Sequence, residues 1–256
     1  ILIEISLLNA YLYNILPKEE LIFAELALTP LYNDPTMLAY YRLEDNAESL
    51  RNYHLTDYGR PVFKSSKFGK GSDGGDYWRS DIGANGNFNP NLFLSNGKTP
   101  VSISAWVSIN SQPPKNLDGD FAVISTASNT VDYALGYGWF NGKTQIFFNR
   151  ARLGIASDRN TYPLKMIPGK FYHLVGTWDG VSVSNLFLNG TKVSSLIGIP
   201  PADGTSPVAQ GIGINGTWST KNTIQGGIGG VVDDVAFFTR VLTQPDIEWL
   251  VKNVKK

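Results

Sequence analysis

From residue 37 onwards the chain alternates short apolar runs with turn residues. "MLAYYRLED" (37–45), "VSISAWVSIN" (101–110), "DFAVISTAS" (120–128), "YALGYGWF" (133–140) and "TQIFFNRA" (144–151) read as strands. So do "FYHLVGTWD" (171–179), "VSNLFLNG" (183–190), "TKVSSL" (191–196), "QGIGING" (210–216) and "GGVVDDVAFF" (229–238). Between them stand "FNGK" (140–143), "IPGK" (167–170), "DGVS" (179–182) and "NGT" (189–191). Asn-Gly and Asp-Gly between apolar runs are strong hairpin signals, because both central turn residues must take positive φ. Turns recurring every ~8–12 residues predict a sandwich or jelly roll. One hairpin arm alternates Tyr172, Leu174, Gly176 and Trp178 with Phe171, His173, Val175 and Thr177, so each set shares a face. Near the end only "TQPDIEWLVKNV" (243–254) predicts a helix, with Thr243 as cap, Pro245 in the first turn, and Ile247, Leu250 and Val251 on one side.

The first thirty residues follow another pattern. They are rich in Leu, Ile and Ala and contain no Gly. Within 1–16 the polar residues Glu4, Ser6, Asn9 and Asn14 scatter around a helix instead of marking one face. Strand alternation over 1–7 is an alternative reading. The run is too short and too polar for a membrane span of ~20 residues. A helix apolar all round must be buried all round: one reading packs it on its own domain, and the sharper one, expected here, buries it among copies of itself. Leu2, Ile3, Leu7, Leu8, Leu12 and Leu16 would form that interface, and Glu4 would need a partner there. Pro30, Asn33, Asp34 and Pro35 break any helix, which divides the chain into an assembly segment (1–30), a linker (31–36) and a β domain (37–256).

Several segments, in order, carry a family resemblance. "LAYYRLEDN" (38–46), "KFGKGSDGGDYW" (67–78), "SISAWVSI" (102–109), "GKFYHLVGTWDG…LFLNGTKV" and "GGVVDDVAFFTRVLTQPDIEWL" (229–250) resemble the laminin-G-like, concanavalin-A-like jelly-roll family. The resemblance covers about residues 37–252 and implies an all-β fold: an antiparallel jelly-roll sandwich of two sheets. To it are added the N-terminal helical extension and the short C-terminal helix. It also implies that Trp106 and Trp178 lie in the core. The opening "ILIEIS" faintly resembles the start of a type IV pilin, from which Asn9, Tyr11, Tyr13 and Asn14 depart.

Composition narrows the function. A formal net charge of zero gives no basic footprint for nucleic acid. The absence of Cys excludes disulfides, thiolate metal sites and a cysteine nucleophile. Glycosidases need paired carboxylates, yet no Glu lies between Glu48 and Glu248, and no Glu-x-Asp-x-Glu strand is present. Asp233 and Asp234 are adjacent, so on a regular strand they would face opposite ways. Asp73, Asp76 and Asp81 read as a solvated Gly-rich turn. His173 reads as a structural strand residue, since the only other histidine is the distant His54. The chain is therefore read as non-enzymatic.

The resemblance further implies a structural calcium between the first and last strands, for which Glu44, Asp45, Asp233 and Asp234 are the candidates. It also implies a glycan or other cell-surface ligand as partner, in an extracellular or cell-surface setting. Tyr77, Trp78, Tyr137, Trp139 and Trp218 stand beside Gly-rich turns and are the candidate stacking platform. Sequons at Asn189 and Asn215 coincide with Asn-Gly turns. Two functions stand side by side: a glycan-binding adhesion module, and a structural subunit of a filament or surface assembly polymerised through residues 1–30.

Overall fold

The computed structural model describes residues 31, 33–44, 56–58, 62–67, 69–73, 83–88, 97–113, 119–127, 131–152, 155–200, 210–214, 217–218, 224–225 and 228–253. The expectations for 1–30, including the interface residues Leu2, Ile3, Glu4, Leu7, Leu8, Leu12 and Leu16, lie outside the described residues. The chain divides into two compact units, Ile1–Met37 and Leu38–Lys256. The described part of the first unit is a tight turn. Asp34 Oδ1 accepts the Thr36 N–H at 2.8 Å and the Thr36 hydroxyl at 2.6 Å, while Met37 N donates to Asp34 O at 3.0 Å. This is the local side-chain turn expected of an Asp beside Pro35.

Strands are numbered in chain order. The eight-stranded sheet runs β13 (Thr191–Ile197), β12 (Val183–Leu188), β11 (Tyr172–Trp178), β6 (Val101–Ile109), β17 (Gly230–Phe238), β4 (Gly69–Asp73) and β3 (Val62–Ser66), with β1 (Met37–Tyr41) also paired to β17. The seven-stranded sheet runs β10 (Ile155–Pro163), β9 (Lys143–Arg152), β8 (Val131–Phe140), β7 (Gly119–Ala127), β14 (Gln210–Ile214), β5 (Gly83–Phe88) and β2 (Thr56–Tyr58). β15 (Thr217–Trp218) and β16 (Ile224–Gln225) form a small ribbon. The one helix among the described residues is α1 (Gln244–Asn253). This is the antiparallel sandwich expected from the turn spacing.

Alternation builds the core between the sheets. On β6 Val101, Ile103, Ala105, Val107 and Ile109 enter it, alongside Leu174 and Trp178 of β11, Tyr133, Leu135 and Tyr137 of β8, and Ile146 and Phe148 of β9. Gly176 makes the layers fit: a Cβ there would lie 2.1 Å from Phe148 Cδ2, so the Phe148 ring occupies the space a side chain would fill. At one end of the core Trp178 donates its indole N–H to Gly97 O at 2.9 Å. The Arg150 guanidinium lies 3.9 Å over the Trp178 ring, and its Nη2 donates to Asp158 Oδ2 at 2.8 Å and Pro200 O at 2.7 Å. An ion pair this buried stands only because hydrogen bonds and a ring face replace water.

The Asn-Gly signals lie at hairpin turns. Asn141 (φ 50°) with Gly142 (φ 77°) joins β8 to β9, and Asn189 (φ 49°) with Gly190 (φ 87°) joins β12 to β13. Positive φ at both central residues is the geometry that matches strand twist. α1 starts as expected from Thr243, with a reciprocal cap: Thr243 N donates to Asp246 Oδ2 at 2.8 Å and Asp246 N to Thr243 Oγ1 at 3.4 Å. Burial alone would raise the Asp246 carboxyl, but hydrogen bonds from Arg240 and Thr243 outweigh it and hold the pKa below the ordinary value. Ile247 and Leu250 are buried.

Two departures from the sequence reading have physical causes. β10 was not foreseen because two of its inward positions are polar: Asp158, held by Arg150, and the buried Asn160. On β17 the ladder slips between Asp233 and Ala236, with Asp234 at φ 46°. This bulge suspends the alternation that would have sent the two aspartates to opposite faces, and both are buried.

Gly176→Ala is expected to destabilise the domain by ~1–3 kcal/mol, the usual range for overpacking. The check is the midpoint of urea unfolding; an unchanged midpoint would mean that the Phe148 ring moves away without cost.

Candidate functional site

The aromatics expected to form a platform are not brought together among the described residues. Tyr77 and Trp78 lie outside them, Trp139 is half-buried at the end of β8, and Trp218 pairs with Ile224 in the ribbon. Tyr137 is a core residue, fully buried. Its hydroxyl donates to Gln112 Oε1 at 2.9 Å and accepts the Met166 N–H at 3.2 Å. In "YALGYGWF" the neighbouring glycines suggested exposure of the tyrosines. In the sheet the tyrosines turn inward, and the glycines occupy the alternate, outer positions.

Those outer positions define the best candidate site. Opposite Gly136 stands Phe147 of β9, and opposite Gly138 stands Gln145; Asn149 stands opposite Ala134. β10 continues the face with Arg159 opposite Asn149, Thr161 opposite Phe147 and Pro163 opposite Gln145. The Arg159 guanidinium lies 4.2 Å from the Phe140 ring centroid and 5.8 Å from that of Phe147, which meet edge to face at 5.8 Å. Arg159, Thr161 and Ala134 are half-buried, whereas Gln145, Phe147 and Asn149 are buried. Asn149 is 9% exposed, and its Oδ1 has no hydrogen-bond partner.

The row through Asn149 crosses the whole sheet. Ala134 pairs with Ser125, Ser125 with Gly213, Gly213 with Asn85, and Asn85 with Thr56. One row over, Gly211 lies between Ala127 and Asn87. The middle of the sheet is thus made of Gly, Ala and Ser, with amide residues at register positions on either side. Glycine and alanine leave little or no side chain above the backbone there, and Gly136 and Gly138 are themselves buried.

On the eight-stranded sheet several buried polar groups pair with one another. Ser104 Oγ and His173 Nε2 lie 2.8 Å apart, and the imidazole tilts against Trp106 with centroids 5.1 Å apart. Burial, with the Lys67 ammonium nearby, pushes His173 down to a pKa of about 3. A serine–histidine pair is chemically suggestive, but Ser104 is 1% exposed, and among the described residues no acid meets His173 Nδ1. Both are structural strand residues. Asp73, read from sequence as a solvated acid, is buried, with ion-pair partner Lys64 and a 3.2 Å hydrogen bond from Asn110. Asn189 Oδ1 accepts the His173 N–H at 2.8 Å, so this sequon residue also fastens a turn to β11.

Of the calcium candidates, Asp45 lies outside the described residues. Glu44 Oε1 is 3.2 Å from Arg42 Nη2, and its Oε2 accepts the Lys70 N–H at 3.0 Å. Asp233 accepts the Ser66 hydroxyl and the Asp234 N–H, and Asp234 accepts the Tyr40 hydroxyl. N–H and O–H donors thus reach Glu44, Asp233 and the Oδ1 of Asp234. Among the described residues no group of three or more His, Cys, Asp or Glu could hold a metal ion.

A family model described as the concanavalin A-like lectin/glucanases superfamily matches residues 69–248. No curated protein matches the chain. Among solved structures, domain 4 of an extracellular arabinanase from Geobacillus stearothermophilus, in complex with arabinotriose, is similar at TM-score 0.59 and 17% identity. That match covers 85% of this chain and 98% of that one. The botulinum neurotoxin serotype G binding domain matches at TM-score 0.63 and 12% identity, over 84% of this chain and 50% of that one. A structure of botulinum neurotoxin type C, whose cell entry depends on interaction with two ganglioside molecules, matches at 0.63 and 15%, over 86% and 52%. The chain thus spans about half the length of the neurotoxin domains it matches, and these likenesses establish the fold.

Two measurements test the assignments. A native-state pKa of about 3 for His173, against ~6.5 unfolded, means that the unfolded chain takes up a proton the native chain refuses. Stability attributable to this group is complete above pH ~6.5 and falls as the pH drops towards 3, by ~1.4 kcal/mol per unit. His173→Gln should flatten the pH dependence of unfolding free energy by one proton in that window; equal slopes would show that the ring is not held neutral. The calcium expectation is checked with excess chelator: a lowered melting temperature would place a cation among Glu44, Asp45, Asp233 and Asp234, and an unchanged curve would remove it.

Proposed function

The chain belongs to the concanavalin A-like lectin/glucanase superfamily, and from that membership we propose that it is a non-catalytic glycan-binding module. The observation that carries the reading is the outer face of the seven-stranded sheet. It combines a floor of small residues along Ala134, Gly136, Gly138 and Gly213 with the amides Gln145 and Asn149 and the aromatic–guanidinium stack of Phe140, Phe147 and Arg159. Sugars present hydroxyls at the ring edge and C–H bonds on the ring faces. A floor without side chains presents backbone to a ring and amides exchange hydrogen bonds with its hydroxyls, while the buried Phe140 and Phe147 rings hold the half-buried Arg159 guanidinium.

The dimensions favour an oligosaccharide over a single sugar. From Asn149 to Asn85 the register crosses four strand spacings, ~19 Å at ~4.8 Å each. The ligands in the similar structures, arabinotriose and gangliosides, are also saccharides or carry them. Glycans of this kind are displayed outside cells, so we place the module at a cell surface or in the extracellular space. Among the described residues no helix is long and apolar enough to cross a membrane.

The test is an immobilised panel of neutral and sialylated oligosaccharides that includes arabinotriose and ganglioside headgroups. Wild type should bind a subset, more tightly with chain length up to a few sugars. Arg159→Ala should weaken that binding at least tenfold while the domain still melts cooperatively. A panel without binders would overturn the reading.

A further inference from the structure

We infer that Asn141 is a site of spontaneous modification: its side-chain amide closes onto the Gly142 nitrogen, and the resulting cyclic imide opens to aspartate and isoaspartate. Asn141 and Asn189 head the same kind of two-residue turn, Asn-Gly with both residues at positive φ. Sequence and backbone give the two no reason to age differently, but their surroundings do. In the reaction the Gly nitrogen attacks the Asn Cγ, a new C–N bond closes the five-membered ring, and Nδ2 leaves as ammonia with the proton the Gly nitrogen loses. One water then cleaves the ring, at Cγ to give aspartate or at the main-chain carbonyl carbon to give isoaspartate. Water is the only co-reactant. The nucleophile is the amide in the middle of the turn, which the hairpin ladder does not use as a donor.

Ring closure requires the turn to open, because Cγ has to come onto the next nitrogen. At 189 that opening breaks specific contacts. Asn189 Oδ1 accepts the His173 N–H at 2.8 Å, and Asn189 N donates to His173 O at 2.8 Å. Gly190 is buried, and its carbonyl accepts a hydrogen bond from Gln244 Nε2 of α1 at 2.7 Å. At 141 nothing comparable holds the turn. Asn141, Gly142 and Lys143 are exposed, and a Cβ on Gly142 would meet no atom within 4 Å. Among the described residues no hydrogen bond reaches the Asn141 side chain. The tip also extends past both flanking ladders: β7 pairs with β8 as far as Trp139 and β10 with β9 as far as Gln145, while β8 and β9 pair on to Phe140 and Lys143. A turn without such ties opens locally at small cost. The two products then differ. Aspartate keeps the backbone and tolerates positive φ. Isoaspartate adds a carbon to the backbone of a two-residue turn, which loosens the Phe140–Lys143 pair that places Phe140 under the Arg159 guanidinium.

The experiment incubates the folded protein, and the same chain unfolded in urea, at mildly alkaline pH. Peptide mass mapping follows the amide-to-acid exchange at each Asn, and an isoaspartate-specific methylation assay identifies the product. In the folded protein Asn141 should convert about tenfold faster than Asn189, and in urea the two should convert at similar rates. Asn141→Asp, which supplies the acid without lengthening the backbone, should melt like wild type, whereas aged protein carrying isoaspartate at 141 should melt lower. Equal rates at 141 and 189 in the folded protein would overturn the inference, because the contacts around Asn189 would then protect nothing. So would an Asn141 that keeps its amide in the folded protein while the unfolded chain converts, which would show that the ladder alone holds the turn shut. Aged protein that melts like wild type would overturn the expected loosening of the hairpin.

Discussion

The register of β9 is the constraint on which the rest depends. Ile146, Phe148 and Arg150 must point between the sheets, where Phe148 fills the space left by Gly176 and Arg150 covers Trp178. With that set inside, Gln145, Phe147 and Asn149 are obliged to face outward. A slip of one residue would bring an amide against Gly176 and turn the candidate site into the core. Core packing and ligand recognition are therefore not separable on this strand. The contacts that join the layers also decide which side chains the outer face presents.

The two sheets use polar residues for different purposes. On the eight-stranded sheet Ser102 accepts the Leu242 N–H at 2.9 Å and donates to Arg240 O at 2.7 Å, tying the segment before α1 to β6. Ser104 with His173, Ser66 with Asp233 and Tyr40 with Asp234 likewise close on one another. Such pairs hold elements in place, and their reactivity is spent on structure. On the seven-stranded sheet the comparable row ends in an amide oxygen without a partner, beside residues too small to provide one.

Much of the fold was legible because its signals are local. Alternation in "VSISAWVSI" and "FYHLVGTW" and the Asn-Gly turns at 141–142 and 189–190 each depend on a few neighbouring residues. Strands lacking apolar alternation, such as "GKGSD" and "GANGNF", were not legible: they are ordered by partners in the ladder. The candidate site was largely hidden for the same reason. Gly136, Asn149, Arg159 and Gly213 become neighbours only when four strands are laid in register. The large aromatics drew attention instead, and Tyr137 belongs to the core. Asp233 and Asp234 misled because a bulge breaks the period-two rule at that point.

The order in which these contacts form follows from the pairing. β8, β9 and β10 succeed one another along the chain through short connections, as do β11, β12 and β13. The central ladder instead joins β6 to β17, and the bond from Ser102 to Arg240 spans 138 residues. Local hairpins close in microseconds, whereas distant pairings wait on a costly loop closure. The hairpins bearing Gly136, Phe147 and Asn149 therefore take shape before the sandwich that stabilises them is complete. Until β17, which follows them in the chain, has paired, they carry an apolar underside that the completed sandwich covers. For a nascent chain of this design, a strand made after the hairpins ends their exposure to chaperones and to misassembly.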